Sequence, residues 1–116
     1  MTVRPPKAYS KDLQDPLSAA LEQEIFNEKA GTLARLNRKL EEALARLPDP
    51  DPDADEVARE KHDRLMAEAG EALWHVTIQR ELCGLMRHKE FFDHMKVPRA
   101  VRLRMGPVLG SKRQDP

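Results

Sequence analysis

The sequence has few of the residues on which disulfide-rich and β-sheet proteins depend. Its 116 residues include one cysteine, one tryptophan, one tyrosine and three phenylalanines. A single cysteine, Cys83, cannot form a disulfide within the chain, and this fits a reducing compartment. Stretches rich in β-branched residues are missing as well, so the sequence predicts no sheet.

Long apolar runs and an excess of one charge are also missing. No run approaches the ~18 apolar residues of a membrane-spanning helix. The opening Met-Thr-Val-Arg-Pro-Pro lacks the apolar region of a signal peptide. Lysine and arginine total 20, as do aspartate and glutamate, whereas general binders of nucleic acid need excess positive charge. We therefore expect a soluble cytoplasmic protein without membrane contact.

Helix-forming residues, chiefly Leu, Ala, Glu, Arg and Lys, dominate the chain. Asp15 followed by Pro16 is typical of a helix N-cap and first helical residue. From Leu33 to Leu47 leucines recur every three or four residues, which is coiled-coil-like spacing. The pattern predicts a first helix over about 16–47, apolar on one side and charged on the other.

A second helix is predicted after the alternating prolines of residues 48–52, which cannot be helical. Asp53 or Asp55 can cap it, and its apolar pattern continues to about residue 94. The acidic loop over 49–56 is interpreted as a stiff turn with a helix cap. Val97-Pro98 then breaks the pattern, and residues 98–105 are predicted to form a short third helix.

The predicted fold is all-α: a long antiparallel hairpin of helices 16–47 and 55–94 plus the short helix 98–105. In this hairpin Leu36 lies level with Leu65 and Ile25 with Val76, so the second helix outruns the first by about three turns. We expect two copies to pair into a dimeric four-helix bundle. The predicted divisions are an extended N-terminal arm (1–14), a helical domain (15–105) and a flexible basic tail (106–116).

Two apolar stripes are predicted on the second helix. The first faces the hairpin partner, and the second lies roughly opposite at ~100° per residue. A second copy is the favoured cover of the second stripe, and the C-terminal segment, the arm or a foreign protein are the alternatives. The first stripe comprises Leu65, Ala69, Leu73, Val76 and Cys83. The predicted interface residues of the second stripe are Trp74, Ile78, Leu82 and Leu85.

Candidate chemistry is sparse. Glu71, His75 and Gln79 share a helix face, and Glu90 and His94 repeat the Glu-x-x-x-His spacing. Di-iron bundles use Glu-x-x-His instead, and that motif is missing, so we interpret these histidines as solvated or interfacial. Cys83 is interpreted as a core residue. No catalytic residue, cofactor or metal ligand is predicted.

The C-terminal segment is basic, and Arg99, Arg102 and Arg104 are the candidate partner-binding residues. We predict a non-catalytic cytoplasmic interaction or regulatory protein that forms a homodimer and can bind a protein partner. The alternative is a nucleic-acid-associated regulator that uses the basic segment, although residues 96–116 offer no aromatic for base stacking. A third possibility is an enzyme or metal protein with an intersubunit site at Glu71, His75 and Gln79.

Overall fold

The computed structural model describes residues 15–108, and all regular structure in this range is helical. The prediction of an all-α fold is therefore confirmed. Residues 1–14 and 109–116, which include the predicted arm and most of the predicted tail, lie outside the described residues. The helices are α1 (Pro16–Ala45), α2 (Glu56–Leu82), α3 (His88–His94) and α4 (Arg99–Leu103).

The predicted starts of both long helices are confirmed by their caps. Asp15 Oδ1 accepts hydrogen bonds from the backbone N–H groups of Leu17 at 3.1 Å and Ser18 at 3.3 Å, and Pro16 is the first helical residue. At α2, Asp55 Oδ1 accepts from the backbone N–H of Ala58 at 2.8 Å. These bonds satisfy N–H groups that the first turn of a helix leaves without partners.

The predicted second helix over 55–94 is wrong in its C-terminal part, because α2 ends at Leu82. Gly84 has a φ of 83°, and the N–H of Leu85 donates to the carbonyl of Arg80 at 2.8 Å. A second bond of 3.0 Å joins Gly84 N–H to the Glu81 carbonyl. This is a Schellman motif, which needs a left-handed residue that glycine supplies without a Cβ penalty.

The chain after the turn folds back into the core instead of projecting. At the end of α3 a second Schellman motif forms, in which Val97 N–H donates to the Phe92 carbonyl at 3.0 Å. Here the left-handed position belongs to Lys96, with a φ of 57°. Phe92, Val97 and Val101 are buried with Leu40 and other residues of α1 and α2 in one apolar cluster.

The predicted register of the hairpin is also wrong. The helices run antiparallel, but Gln79 Nε2 donates to the Lys29 carbonyl at 3.1 Å, whereas the predicted register places Ala72 opposite Lys29. The difference of seven residues is about two turns of helix. Val57, expected beside Leu44, is 73% exposed. The two helices are therefore offset along their axes by about two turns from the predicted register. A simple count of positions about the loop cannot anticipate such an offset.

Because of this register, α1 and not α2 outruns its partner at the end opposite the loop. We call residues 16–28, which extend from the level of the last turn of α2 to beyond its end, the α1 projection; at 1.5 Å per residue it is about 20 Å long. At the other end, the first turns of α2, residues 56–64, are mostly exposed. We call them the α2 projection.

The predicted short helix exists as α4, and the segment after it lies along α2. A Cβ placed on Gly70 would lie 2.5 Å from the carbonyl oxygen of Arg104, so this glycine admits the backbone of the C-terminal segment. Thr77 Oγ1 donates to Met105 Sδ at 3.4 Å. Gly31, the other glycine inside a long helix, marks no such close approach, because a Cβ there would meet only the Arg35 side chain, at 3.7 Å.

Candidate interaction surface

The α1 projection carries large apolar side chains that are open to solvent. Four of them are exposed by 48 to 79%, although they continue the leucine pattern that is buried further along α1. The cause is the register, since α2 ends at about the level of Phe26 and does not run alongside the earlier residues of α1. These side chains are Leu17, Leu21, Ile25 and Phe26.

The predicted interface on α2 is partly exposed and is not one continuous stripe. Ile78, Leu82 and Leu85 are exposed by 40 to 56%. Trp74 is half-buried, with its ring centroid 5.2 Å from that of His75. Leu85 lies beyond the end of α2 and follows the Gly84 turn, so it belongs to the corner between α2 and α3.

The exposed apolar groups of α1 and α2 lie toward the same end of the molecule. The hydrogen bond between Lys29 and Gln79 places Leu82, three residues further along α2, near the level of Phe26. We call the exposed apolar side chains at this end the end surface. Its members are Leu17, Leu21, Ile25, Phe26, Ile78, Leu82, Leu85 and Met86, all of them exposed.

The first stripe of α2 is largely buried, as expected. Ala69, Leu73 and Val76 have no exposed area, and Leu65 is half-buried. Cys83, interpreted above as a core residue, is half-buried, forms the C-cap of α2 and is not part of the buried cluster. The adjoining side of α2, at Gly70 and Thr77, is covered by the C-terminal segment.

The predicted Glu–His–Gln face is engaged within the chain. Glu71 Oε2 accepts from the backbone N–H of Val108 at 3.2 Å, and the Gln79 amide is bound to Lys29. His75 is exposed. Glu90 Oε2 pairs with Arg87 Nη2 at 3.1 Å. Within residues 15–108, no group of three or more His, Cys, Asp or Glu side chains is placed to hold a metal ion.

Two of the three candidate arginines hold the C-terminal segment in place. Arg102 donates through Nε to the Val97 carbonyl at 3.0 Å and through Nη2 to Asp93 Oδ1 at 2.9 Å. Arg104 Nη1 donates to the Asp63 carbonyl at 3.2 Å. Arg99 is exposed. These contacts account for Arg102 and Arg104 as parts of the fold, and Lys112 and Arg113 lie outside the described range.

A polar cluster at the corner between α2 and α3 was not foreseen. The Arg80 guanidinium lies 4.3 Å from the centroid of the Phe91 ring, and its Nε is 3.4 Å from His88 Nδ1. His88 Nε2 lies 3.1 Å from Glu81 Oε2. These contacts require the turn at Gly84, which was the one signal in the sequence that could have indicated them.

Asp93 joins α3 to α4. Its carboxylate accepts hydrogen bonds from Lys89 Nζ at 3.1 Å and from Arg102 Nη2 at 2.9 Å. Chiefly the bond from Lys89, and next the bond from Arg102, hold the pKa of Asp93 below its usual value. Hydrogen bonds to the charged form of a carboxyl group favour that form.

Between residues 15 and 108, no helix is both long and apolar enough to cross a membrane. Comparison with curated proteins and with solved structures gives no match. A family model described as a family of unknown function, DUF6665, matches residues 12–113. That range covers all four helices, and the chain belongs to the DUF6665 family.

Proposed function

We propose that this protein is a non-catalytic helical interaction protein that self-associates through the end surface. The observation that carries this proposal is the concentration of exposed apolar side chains at one end of the molecule. Single exposed leucines are common on protein surfaces, whereas contiguous apolar patches mark interaction sites.

The two projections differ in a way that supports this proposal. The α2 projection has one large apolar side chain, Val57, among charged residues. The α1 projection, which is four residues longer, has four. A helix that extends into solvent without a partner is expected to be polar, as the α2 projection is. The composition of the α1 projection is that of a helix with a partner.

The solvation of the α1 projection gives the same indication. Most helical stability in proteins comes from covering an apolar face. The α1 projection continues the packed part of α1, but its apolar side chains are open to solvent. A partner that covers them stabilises the helix as well as the interface.

The size of the end surface suits a second copy. A standard interface buries about 800 Å² on each partner and has an apolar centre with a polar rim. The eight exposed large apolar side chains of the end surface can supply such a centre. Two copies would bring their four long helices together at this end, so the dimer forms through α1 as well as α2. The half-buried Cys83, which has no disulfide, suits a reducing compartment such as the cytoplasm.

The test is the mass in solution, measured by light scattering after size exclusion. We compare the wild type with Leu21→Glu in the α1 projection and with Leu82→Glu at the end of α2. Val57→Glu is the matched control, because it puts the same charge at an exposed apolar position of the α2 projection. Circular dichroism of each variant verifies that the helices are retained.

We expect a dimeric wild type, a dimeric Val57→Glu variant and monomers for the two other variants. A buried glutamate in each copy carries a large desolvation cost and leaves the association unfavourable. A monomeric wild type at high concentration would overturn the proposal.

A further inference from the structure

We propose that two copies pair by laying their α1 projections antiparallel about a twofold axis near Leu21. This arrangement rests on the self-association proposed above and adds its geometry. Leu17 of each copy then lies level with Ile25 of the other, and Leu21 meets its own counterpart. A twofold axis satisfies both copies with one surface, which is the commonest arrangement of homodimers.

The first support is the position of the end of α2. The contact of Gln79 with Lys29 places Leu82, three residues further along α2, near the level of Phe26. In the antiparallel arrangement, Leu17 at the tip of the other copy's α1 projection reaches this same level. The tip thus lies on the exposed corner formed by Leu82, Leu85 and Met86, and each projection covers the corner of the other copy.

The second support is the distribution of acidic residues along the projection. Glu28 follows Leu21 by seven residues and lies on the same face of α1 at ~100° per residue. A parallel pairing through this face would place Glu28 next to its own counterpart, and like charges brought together across an interface are destabilising. The antiparallel pairing about Leu21 puts the two Glu28 residues seven positions on either side of the axis, about 21 Å apart along the helices.

The experiment uses single cysteines as reporters of facing positions. In the full-length chain Cys83 is replaced by serine, and Leu17→Cys, Leu21→Cys and Ile25→Cys are made one at a time. A disulfide forms only when the two Cα atoms come within about 7 Å. Each protein is oxidised mildly and analysed on a non-reducing gel, and its mass is measured before oxidation.

We expect Leu21→Cys to give linked dimers by itself. Leu17→Cys and Ile25→Cys should give few linked dimers alone but link to each other after the two proteins are mixed, unfolded and refolded together. A cysteine at Val57, on the opposite end of the molecule, is the control and should stay unlinked.

Two results would overturn this geometry while leaving self-association intact. One is linkage of Leu17→Cys and Ile25→Cys each with itself as readily as Leu21→Cys, which indicates a parallel pair. The other is a dimeric mass with no linkage at any of the three positions, which places the interface elsewhere. A monomeric mass for the Cys83→Ser parent and for the wild type would instead overturn the self-association itself.

Discussion

The two halves of α1 have nearly the same spacing of apolar residues but opposite environments. In the C-terminal half, Leu40 has no exposed area, and Leu33, Leu36 and Leu44 pack against the buried cluster. In the N-terminal half, the α1 projection, Leu17 is 79% exposed. The spacing of apolar residues therefore predicts which side of a helix will be buried. The register of the neighbouring helix decides which part of that side is buried within one copy.

The difference also separates two kinds of apolar side chain. Those of the C-terminal half are required for the fold of one copy, because α2 and the C-terminal segment cover them. Those of the α1 projection contribute little to that fold and are available to a second copy. Substitutions in the C-terminal half should therefore lower the stability of a single copy, whereas substitutions in the α1 projection should weaken the proposed self-association.

The largest effect is expected for Leu40→Ala. Loss of a fully buried leucine removes apolar burial and leaves a cavity, and we expect the free energy of unfolding to fall by about 2–5 kcal/mol. Urea denaturation followed by circular dichroism measures this change. The same loss should appear at low and at high protein concentration, since the contact lies within one copy.

Leu21→Ala is the matched control in the other half of the helix. At concentrations at which the protein is a monomer, we expect a change of within about 0.5 kcal/mol, as is usual for surface positions. At high concentration the variant should be less stable than the wild type, because it loses the stabilisation that dimer formation adds by mass action. If Leu40→Ala and Leu21→Ala lowered the free energy of unfolding of the monomer equally, the difference drawn here between the two halves of α1 would be wrong.

The next largest effect is expected at Gly70, where the C-terminal segment covers α2. Gly70→Ala puts a Cβ at 2.5 Å from the carbonyl oxygen of Arg104, so the segment must move away, and overpacking of this kind costs about 1–3 kcal/mol. Gly31→Ala is the control in α1, where the nearest atom is the flexible end of Arg35 at 3.7 Å. It should stabilise the helix by up to about 1 kcal/mol. Thermal melts of both variants measure this difference, and stabilisation by Gly70→Ala would contradict the close approach.

Much of this architecture could be predicted from local signals in the sequence. The caps at Asp15 and Asp55, the loop between the long helices and the short helix before Met105 depend on residues within a few positions of each other. Capping and proline effects are of this local kind, so a single sequence reveals them.

The end of α2 and the register could not be predicted in the same way. The apolar period runs across Gly84, and the choice between a continuing helix and a Schellman turn depends on Phe92 and Val97 reaching the core. The register is the axial offset between α1 and α2. It is set by packing between residues that are distant in the sequence. For this reason exposed apolar side chains were expected on α2 alone, whereas four of the eight members of the end surface lie on the α1 projection.

A stabilising change is expected at the corner that brings the C-terminal segment over the buried half of α1. Lys96 occupies the left-handed region with a φ of 57°, which costs an L-residue about 1–2 kcal/mol. We expect Lys96→Gly to raise the free energy of unfolding by about 1 kcal/mol after the added freedom of the unfolded chain is subtracted. Lys96→Ala, which retains the Cβ, should have little effect. A melting temperature for Lys96→Gly at or below that of Lys96→Ala would contradict this account.

The smallest effect is expected for Asp93→Asn, which weakens the link between α3 and α4. Because the hydrogen bonds from Lys89 and Arg102 lower the pKa of Asp93, its contribution to stability is present above the ordinary pKa of about 4 and is lost as the pH falls through the lowered value. The variant should thus melt slightly below the wild type at neutral pH, and the difference should shrink as the pH falls below about 4. Asp93 is exposed, so screening by water keeps the effect small. An NMR titration of the Asp93 carboxyl carbon measures the pKa directly, and a value at or above the ordinary one would show that neither bond holds the carboxylate in solution.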